Sequence, residues 1–281
     1  MRFAVVTAFL PVEEIAPIAV AADELGYHGL TIADHVVDLE TLATPYPYEE
    51  SGRRRWDHDC AWPDPWVLVG SLAPVTTRLR FFTSIYVAAL RSPFQVAKSV
   101  GTAALLAGGR VALGVGVGWC REEFELLGQD FGNRGARTDE ALELIQDLWQ
   151  PGWTSYDGAR MVMKPEPGRV PILVGGLSDV ALRRAARHDG WVGDVCTTDE
   201  AIATARRLED LRDEAGADGP FEVIPALSDA LLPDDFIRAR DGGVTEVMTA
   251  PWMYYFGRRA ALEQKLEGLQ RFRDDVLVHV S

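Results

Sequence analysis

The chain has few of the features on which several classes of protein depend. Its three cysteines, Cys60, Cys120 and Cys196, lie far apart without a CxxC pair, so the sequence indicates neither a disulfide framework nor a thiolate zinc site. No apolar run is long enough to span a membrane, and the first residues lack the cleavage site of a signal peptide. We therefore expect a soluble, cytoplasmic protein without a membrane partner or a bound metal.

Positive charge is scarce as well. The chain has 28 Lys and Arg residues against 42 Asp and Glu residues, and its net charge of −14 at pH 7 would repel nucleic acid. The lysines are Lys98, Lys164 and Lys265, and none ends an apolar run that could be a strand, so a Schiff-base aldolase would lack its nucleophile. These absences favour an enzyme that acts on a small-molecule substrate.

The chain does have apolar β-branched runs that alternate with segments of helical period, a pattern typical of a buried parallel sheet covered by helices. The predicted strands are Phe3 to Ala8, Gly29 to Ala33, Leu79 to Val87, Arg110 to Val117, Ile172 to Gly175, Trp191 to Asp194, Phe221 to Ala226 and Val244 to Ala250. The predicted helices are Val12 to Leu25, Pro65 to Leu72, Pro93 to Leu106, Arg137 to Trp149, Ser178 to His188, Thr198 to Ala215, Asp234 to Arg240 and Arg258 to Phe272.

Eight such units predict an α/β fold, a single (β/α)8 TIM barrel over residues 1–281, with a doubly wound open sheet as the alternative. In TIM barrels the chemistry takes place at the C-terminal ends of the strands. Two connections exceed the usual loop length, Val36 to Asp64 after strand 2 and Trp119 to Ala136 after strand 4. Both leave the end of the barrel where we expect the functional residues.

The glycine-rich stretch GRVALGVGVGW, residues 109–119, does not have the spacing of a dinucleotide fingerprint. Gly114, Gly116 and Gly118 recur at a period of two, which places them on one face of a strand. A strand face without side chains lets a flat ring approach the backbone closely. Alternatively, the glycines relieve crowding inside the barrel.

Four stretches, in this order, resemble the luciferase-like monooxygenase superfamily, in particular its coenzyme F420-dependent oxidoreductases. They are TIADHVV, RFFTSIYVAALRSPFQVAKSVGTAALLAGGRVALGVGVGW, RGARTDEALELIQDLW and VPILVGGLSDVALRRAARHDGW. The resemblance implies a luciferase-like (β/α)8 barrel, transfer of a hydride between coenzyme F420 and a small organic substrate, and a homodimer. A monooxygenase that uses reduced FMN and a non-catalytic flavin- or F420-binding barrel are the alternatives within the superfamily.

Asp34 and His35 end the second predicted strand, where the resemblance implies a pair that contacts the cofactor. A histidine can donate or accept a proton near neutral pH, and a hydrogen-bonded neighbour fixes its tautomer. We predict that His35 is the catalytic residue, as a proton relay or hydrogen-bonding group at the reacting ring. The alternatives are a His35 that caps a loop and, less readily, a metal site with Asp34.

The resemblance also implies where the cofactor ring lies. Ser84 and Ile85 are in the third predicted strand, where the superfamily has a bulge with a non-proline cis peptide behind the ring. Gly116 and Gly118 are predicted to face the same ring.

The motif LVGGLSD suits a cofactor phosphate. Gly175 and Gly176 follow the fifth predicted strand and Ser178 begins a helix, so that backbone N–H groups, a positive helix end and a hydroxyl are available to an anion. The resemblance adds Gly193 to this region. An ordinary glycine turn with a serine cap is the alternative.

Aromatic residues at the expected functional end suit a flat apolar substrate, because they provide contact area and exclude water. The predicted substrate pocket consists of Trp56, Trp62, Trp119, Trp252 and Tyr254, with helix packing or a subunit interface as the alternative. Trp119 occupies the position at which sugar-phosphate dehydrogenases of the resembled family have an acidic proton acceptor. Its presence argues against such a substrate.

We expect several charged residues near these positions to be structural or solvated. Glu122 and Glu123 are expected at the surface, and Arg134 and Arg137 in pairs with acidic neighbours. The run Arg53 to Arg55 is expected to be solvated, or else to meet the polyglutamate tail of coenzyme F420.

Overall fold

The computed structural model describes residues 1–280. Its strands are β1 (Arg2–Val6), β2 (Gly29–Ile32), β3 (Arg80–Thr83), β4 (Val111–Val115), β5 (Thr154–Tyr156), β6 (Ala159–Met161), β7 (Ile172–Gly175), β8 (Gly190–Cys196), β9 (Glu222–Leu227) and β10 (Glu246–Thr249). Eight of them pair in parallel in the order β10-β1-β2-β3-β4-β7-β8-β9, and β5 and β6 form a separate antiparallel pair. The predicted (β/α)8 barrel is confirmed.

The helices cover the outside of this barrel. They are α1 (Val12–Leu25), α2 (Pro65–Leu72), α3 (Pro93–Leu106), α4 (Arg121–Leu126), α5 (Arg134–Trp149), α6 (Asp179–Ala185), α7 (Thr198–Ala215), α8 (Pro233–Asp241), α9 (Leu262–Phe272) and α10 (Val278–Val280). Local sequence explains several ends: Asp64 accepts hydrogen bonds from Trp66 N and Val67 N at the start of α2, and Gly26 ends α1 in a left-handed conformation.

The barrel is nearly closed and its interior is packed. Between β9 and β10, the Thr245 amide donates to the Val223 carbonyl oxygen at 3.0 Å. An inner cluster fills the barrel with side chains from seven of the eight barrel strands, namely Ala4, Phe82, Ala112, Leu173, Val192, Ile224 and Met248. A larger cluster lies between strands and helices. Any ligand must therefore bind at an end of the barrel, not through it.

Several predicted boundaries differ from the structure. The strand predicted over Leu79 to Val87 stops at Thr83, and the helix predicted from Arg258 begins only at Leu262. The sequence interpretation missed the β5–β6 hairpin and helix α4, which lies inside the long connection after the fourth strand. Within residues 1–280, no helix combines the length and the apolar character that crossing a bilayer requires.

Candidate active site

A cavity of about 260 Å³ opens at the C-terminal end of the barrel strands. The predicted site residues that line it are Asp34, His35, Trp56, Trp62, Ser84, Ile85, Gly118, Trp119, Gly175, Gly176 and Gly193. Small side chains, Ala33 and Ala226, contribute to its wall beside Val192 and Met248. The structure therefore brings together residues that are up to 159 positions apart, because successive strands of a parallel barrel end at the same face.

His35 lies just beyond β2 and is held by a carboxylate that the sequence interpretation placed elsewhere. Its Nδ1 is 3.0 Å from Oε2 of Glu123, in the first turn of α4. Glu123 is only 2% exposed, so its expected surface position is wrong. Its other oxygen, Oε1, accepts hydrogen bonds from the amides of Val36 at 2.6 Å and Val37 at 3.4 Å.

The Glu123 carboxylate defines the chemistry available to His35. Burial opposes its ionisation, but the hydrogen bonds from His35 and from the Val36 and Val37 amides outweigh burial and hold the pKa of Glu123 below its usual range. An ionised carboxylate at Nδ1 favours a proton on that nitrogen and leaves Nε2 as the nitrogen that can exchange a proton with a ligand. The pair can therefore orient and stabilise an imidazolium.

Asp34 is held in an ion pair. Its two carboxylate oxygens each accept a hydrogen bond from Arg91 at 2.8 Å, and Oδ2 also accepts one from the Val87 amide at 3.0 Å. Hydrogen bonds to Asp34 outweigh the effect of burial and raise the pKa of the Arg91 guanidinium. Asp34 thus fixes the segment after β3 to the end of β2, and its contact with a cofactor stays a prediction.

Gly114 in β4 and Gly116 directly after it make room for residues at the end of β3. A Cβ atom on Gly114 would lie 1.8 Å from the Thr83 carbonyl oxygen, and one on Gly116 would lie 2.3 Å from Cδ1 of Ile85. Gly175 of β7 has the same relation to Ile85, at 2.5 Å. The alternative of relieved crowding therefore accounts for Gly114 and Gly116. Gly116 lies behind Ile85 instead of on the cavity wall, whereas Gly118 does line the cavity.

The non-proline cis peptide implied by the resemblance is present after β3. The Ser84–Ile85 peptide is cis, and both residues line the cavity. Ser84 Oγ is hydrogen-bonded to Thr31 Oγ1 on the adjacent strand β2. That this segment supports a cofactor ring stays a prediction.

Only some of the residues predicted to bind the cofactor phosphate line the cavity. Gly175, Gly176 and Gly193 line the cavity, but Ser178 does not: its Oγ caps α6 by accepting a hydrogen bond from the Ala181 amide at 3.3 Å. The carboxylate of Asp179 follows it in the first turn of the helix. Because that carboxylate already complements the positive helix end, this end is less suited to a phosphate than the sequence suggests.

Three of the predicted substrate-pocket aromatics surround His35. The ring centroids of Trp62, Trp56 and Trp119 lie 4.8, 5.2 and 6.0 Å from the imidazole. Tyr46 extends this group, at 5.1 Å from Trp119. We call these four aromatic residues around His35 the aromatic wall.

Trp252 and Tyr254 are not on the cavity wall, which corrects their predicted place. A 3₁₀ turn, Pro251–Tyr254, follows β10 and directs them to helix α9. A Cβ atom on Gly268 of that helix would lie 2.5 Å from the Trp252 Cα, and the Tyr254 ring is 5.1 Å from that of Phe272. Both residues therefore pack against a helix, which is the alternative that the sequence left open.

Arg54 and Arg55 fasten the segment after β2 over the barrel instead of being solvated, whereas Arg53 is exposed as expected. Arg54 donates to Asp38 at 2.5 Å, and Arg55 donates to Asp194 at 2.7 Å and to Glu49 at 2.6 Å. Asp194 belongs to β8, so Arg55 joins the connection after β2 to the far side of the cavity mouth.

Arg134 and Arg137 have structural roles, but their partners are not acidic. Arg134 Nε donates to the Gly118 carbonyl oxygen at 3.0 Å, and Arg137 donates to Gln129 Oε1 at 2.6 Å. Together they hold the connection after β4 in place at the edge of the cavity. Acidic neighbours of this helix are used otherwise: Asp139 pairs with Arg184.

The amino-acid sequence is similar to a protein family and to several known proteins. The sequence profile described as luciferase-like monooxygenase matches residues 1–235. An uncharacterized protein of Mycobacterium tuberculosis is 37% identical over 291 residues, which covers 100% of each chain. The pyrimidine monooxygenase RutA of Cronobacter turicensis is 27% identical over 201 residues, covering 66% of this chain and 52% of its own.

Solved structures share the fold at low identity. A monooxygenase, RslO1 of Streptomyces bottropensis, superposes with a TM-score of 0.76 at 18% identity and covers 100% of both chains. An F420-dependent secondary alcohol dehydrogenase in complex with an F420–acetone adduct has a TM-score of 0.75 at 15% identity, covering 100% of this chain and 99% of its own. These likenesses concern the fold.

Proposed function

Because the chain belongs to the luciferase-like monooxygenase family, we propose that it is an oxidoreductase that transfers a hydride between coenzyme F420 and a small organic substrate. One observation carries the proposal: a single cavity at the C-terminal end of the barrel contains both the His35–Glu123 pair and strand ends bordered by glycine and alanine. Such a reaction requires the protein to supply a proton-transfer group and space for a flat ring.

The fit of a flat ring is supported by the small residues. The side chains of Ala33 and Ala226 and the backbone at Gly175, Gly176 and Gly193 contribute small groups to the cavity wall. The glycines let Ile85, Ala181 and Trp191 pack behind them, so that backbone and not a side chain lies at the wall. The volume of about 260 Å³ is somewhat below the ~300 Å³ at the lower end of small-molecule pockets. The ring system therefore fits better than the whole cofactor, and the segment fastened by Arg55 would have to shift to admit the remainder.

In this proposal Ser84, Ile85 and the glycines hold the ring, and coenzyme F420 supplies or takes up the hydride when bound. His35 Nε2 faces the substrate and gives a proton to it or takes one from it, while Glu123 at Nδ1 keeps the imidazole in one tautomer and stabilises its protonated form. The aromatic wall orients the substrate and excludes water from the reacting atoms.

A monooxygenase that uses reduced FMN is the second candidate. It is favoured by the likeness to pyrimidine monooxygenase RutA, and by a type II Baeyer-Villiger monooxygenase in complex with FMN, which superposes over 80% of this chain with a TM-score of 0.60. The same small residues of the cavity wall and the same His35–Glu123 pair would suit either flat ring. The two candidates differ in the oxidant, which is oxygen for the monooxygenase.

Titration of the protein with coenzyme F420 and, in parallel, with FMN tests the proposal. We expect a saturable change in deazaflavin fluorescence at micromolar concentration and weaker binding of FMN. Ala226→Phe, which fills the cavity, should weaken deazaflavin binding about tenfold or more, whereas Ala159→Phe on the exposed β5–β6 hairpin should not. Tight binding of reduced FMN with oxygen consumption would support the second candidate, and no saturable change with either cofactor would contradict both.

A further inference from the structure

Two tryptophans of the cavity wall have a buried indole N–H without an acceptor. Nε1 of Trp56 and Nε1 of Trp62 have no hydrogen-bond partner among residues 1–280, although both residues line the cavity. Trp56 as a whole is 7% exposed. Their ring centroids are 5.1 Å apart, and both rings lie within 5.2 Å of the His35 ring.

Two tryptophans away from the cavity wall, Trp149 and Trp191, do have acceptors. Trp149 Nε1 donates to the Ala97 carbonyl oxygen at 3.0 Å, and Trp191 Nε1 donates to the Gly176 carbonyl oxygen at 2.8 Å. Trp66 Nε1 is also unpartnered, but Trp66 packs against Tyr86 and is not on the cavity wall. Because buried donors without acceptors are costly and uncommon, two of them beside one histidine indicate a place for a ligand oxygen.

The charges around the cavity decide which kind of oxygen fits. Among the residues that line the cavity, the arginine is Arg55, and it is already paired with Asp194 and Glu49; Arg91, beside the wall, is paired with Asp34. Glu123 adds a further negative charge next to His35. A carboxylate or phosphate on the substrate would therefore meet no unpaired arginine among the residues that line the cavity, whereas an uncharged acceptor needs only the N–H donors.

We propose that Trp56 and Trp62 form a donor pair for the carbonyl oxygen of a flat, uncharged ring compound, and that this pair selects the substrate at the site of the proposed function. The aromatic wall provides contact area for the ring, and the two indole N–H groups, beside His35, bind the oxygen. The proposal rests on the proposed function only because both use the same cavity.

Three probes of nearly equal size test the proposal: 2-acetylnaphthalene, 2-ethylnaphthalene and 2-naphthoate. Their affinities are measured by calorimetry, with and without oxidised coenzyme F420. Since a hydrogen bond contributes roughly a fivefold factor in affinity, two donors should make the ketone bind roughly 20-fold more tightly than the hydrocarbon. Trp56→Phe and Trp62→Phe should each reduce this ratio about fivefold, and 2-naphthoate should bind more weakly than the ketone.

Trp119→Phe is the matched control, since Trp119 belongs to the same wall but its N–H is not among the buried unpartnered groups. It should weaken the ketone and the hydrocarbon by the same factor and leave their ratio unchanged. In ¹⁵N-labelled protein, the indole resonances of Trp56 and Trp62 should shift with the ketone and much less with the hydrocarbon, while that of Trp153, 65% exposed on the outside, should not shift with either.

Four results would overturn the donor pair: equal affinity for ketone and hydrocarbon, an unchanged ratio in both variants, tighter binding of 2-naphthoate, or no binding of any probe. Failure of the proposed function gives a different result. In that case the protein binds neither coenzyme F420 nor FMN, but the titrations without cofactor still report on the ketone-to-hydrocarbon ratio.

Discussion

The two ends of the barrel are built on opposite principles. At the N-terminal end of the strands, charged side chains pair with one another. Arg80 donates to both oxygens of Glu222, at 2.7 and 2.8 Å, and Arg2 adds a third hydrogen bond. His28 is 2.9 Å from Oε1 of Glu246, whose Oε2 accepts no hydrogen bond but lies 3.7 Å from the Arg2 guanidinium. At the C-terminal end, buried donors lack acceptors and small residues border a cavity. We therefore expect the first end to contribute stability and the second to bind the ligand of the proposed function.

This contrast predicts that changes at the cavity reduce activity and that changes at the opposite end reduce stability. His35→Ala should have the largest effect, a loss of about 10²–10⁴ in the rate of hydride transfer, because it removes the proton-transfer group. Oxidation of reduced coenzyme F420 with 2-acetylnaphthalene as acceptor, followed by absorbance, measures the rate. The affinity for the cofactor should stay close to that of the wild type.

His58→Ala is the control for this change, since the His58 side chain is 55% exposed and pairs with Asp38 on the connection after β2. It should leave the rate unchanged. If the rate of His35→Ala remained within a few-fold of the wild type, the proton would have to come from another group, and His35 would only cap the loop.

Glu222→Gln should have the next largest effect, and on stability. Burial opposes the ionisation of Glu222, but the hydrogen bonds from Arg80, together with the charge of Arg2, outweigh burial and hold its pKa below the usual range. Removal of this charge leaves Arg80, whose side chain is 14% exposed, without its main partner, and should cost about 3–5 kcal/mol in the free energy of unfolding. Urea denaturation measures it.

Asp199→Asn provides the comparison for this substitution. Asp199 also pairs with an arginine, Arg238, but its side chain is 82% exposed, so that solvent screens the pair and the unfolding midpoint should hardly move. An equally small effect of Glu222→Gln, or a loss of cofactor binding without a loss of stability, would contradict the division between the two ends.

The sequence predicts one end of this comparison better than the other. The eight strands were predictable because apolar β-branched runs alternate with helical segments, and His35 and the long connections followed from the place where strands end. The partner of His35 was not predictable, since Glu123 is 88 positions away and has the appearance of a residue in a charged amphipathic turn. Trp252 was misplaced for a related reason: the sequence does not show that the chain turns back to α9 after β10.

Glycine spacing shows the same limit. The period of two placed Gly114 in β4 and Gly116 directly after it, but only the structure shows that Thr83 and Ile85 occupy the room that these glycines leave. Local patterns thus predicted the elements and the end of the barrel at which the site lies. Contacts between distant elements decide which side chains meet there, and a single sequence contains little information on them.

The smallest of the predicted effects concerns Glu123. Like Glu246 of the N-terminal end it is buried and charged, but it lies at the cavity end. Glu123→Gln should lower the rate of hydride transfer about tenfold, equivalent to about 1.4 kcal/mol, since the amide still orients His35 but no longer stabilises its protonated form. Cofactor affinity should not change.

Stability against pH sharpens this prediction. Because the pKa of Glu123 in the folded protein lies below its usual value of about 4.3, the ionised carboxylate stabilises the fold above that pH, and this contribution is lost as the pH falls through the lower folded pKa. The difference in urea midpoint between wild type and Glu123→Gln should therefore be largest near neutral pH and shrink in acid.

Glu122→Gln separates the catalytic part of this effect from the electrostatic part. Glu122 is the neighbour of Glu123 and accepts hydrogen bonds from the amides of Ala43 at 2.6 Å and Thr44 at 2.8 Å. Although burial opposes it, these hydrogen bonds lower the pKa of Glu122 to about 2. Its substitution should give the same pH trend in stability without a change in rate. If both variants lowered the rate equally, the carboxylates would act only by fastening the connection after β2, and the cavity end would owe its activity to that segment instead of to a charge at His35.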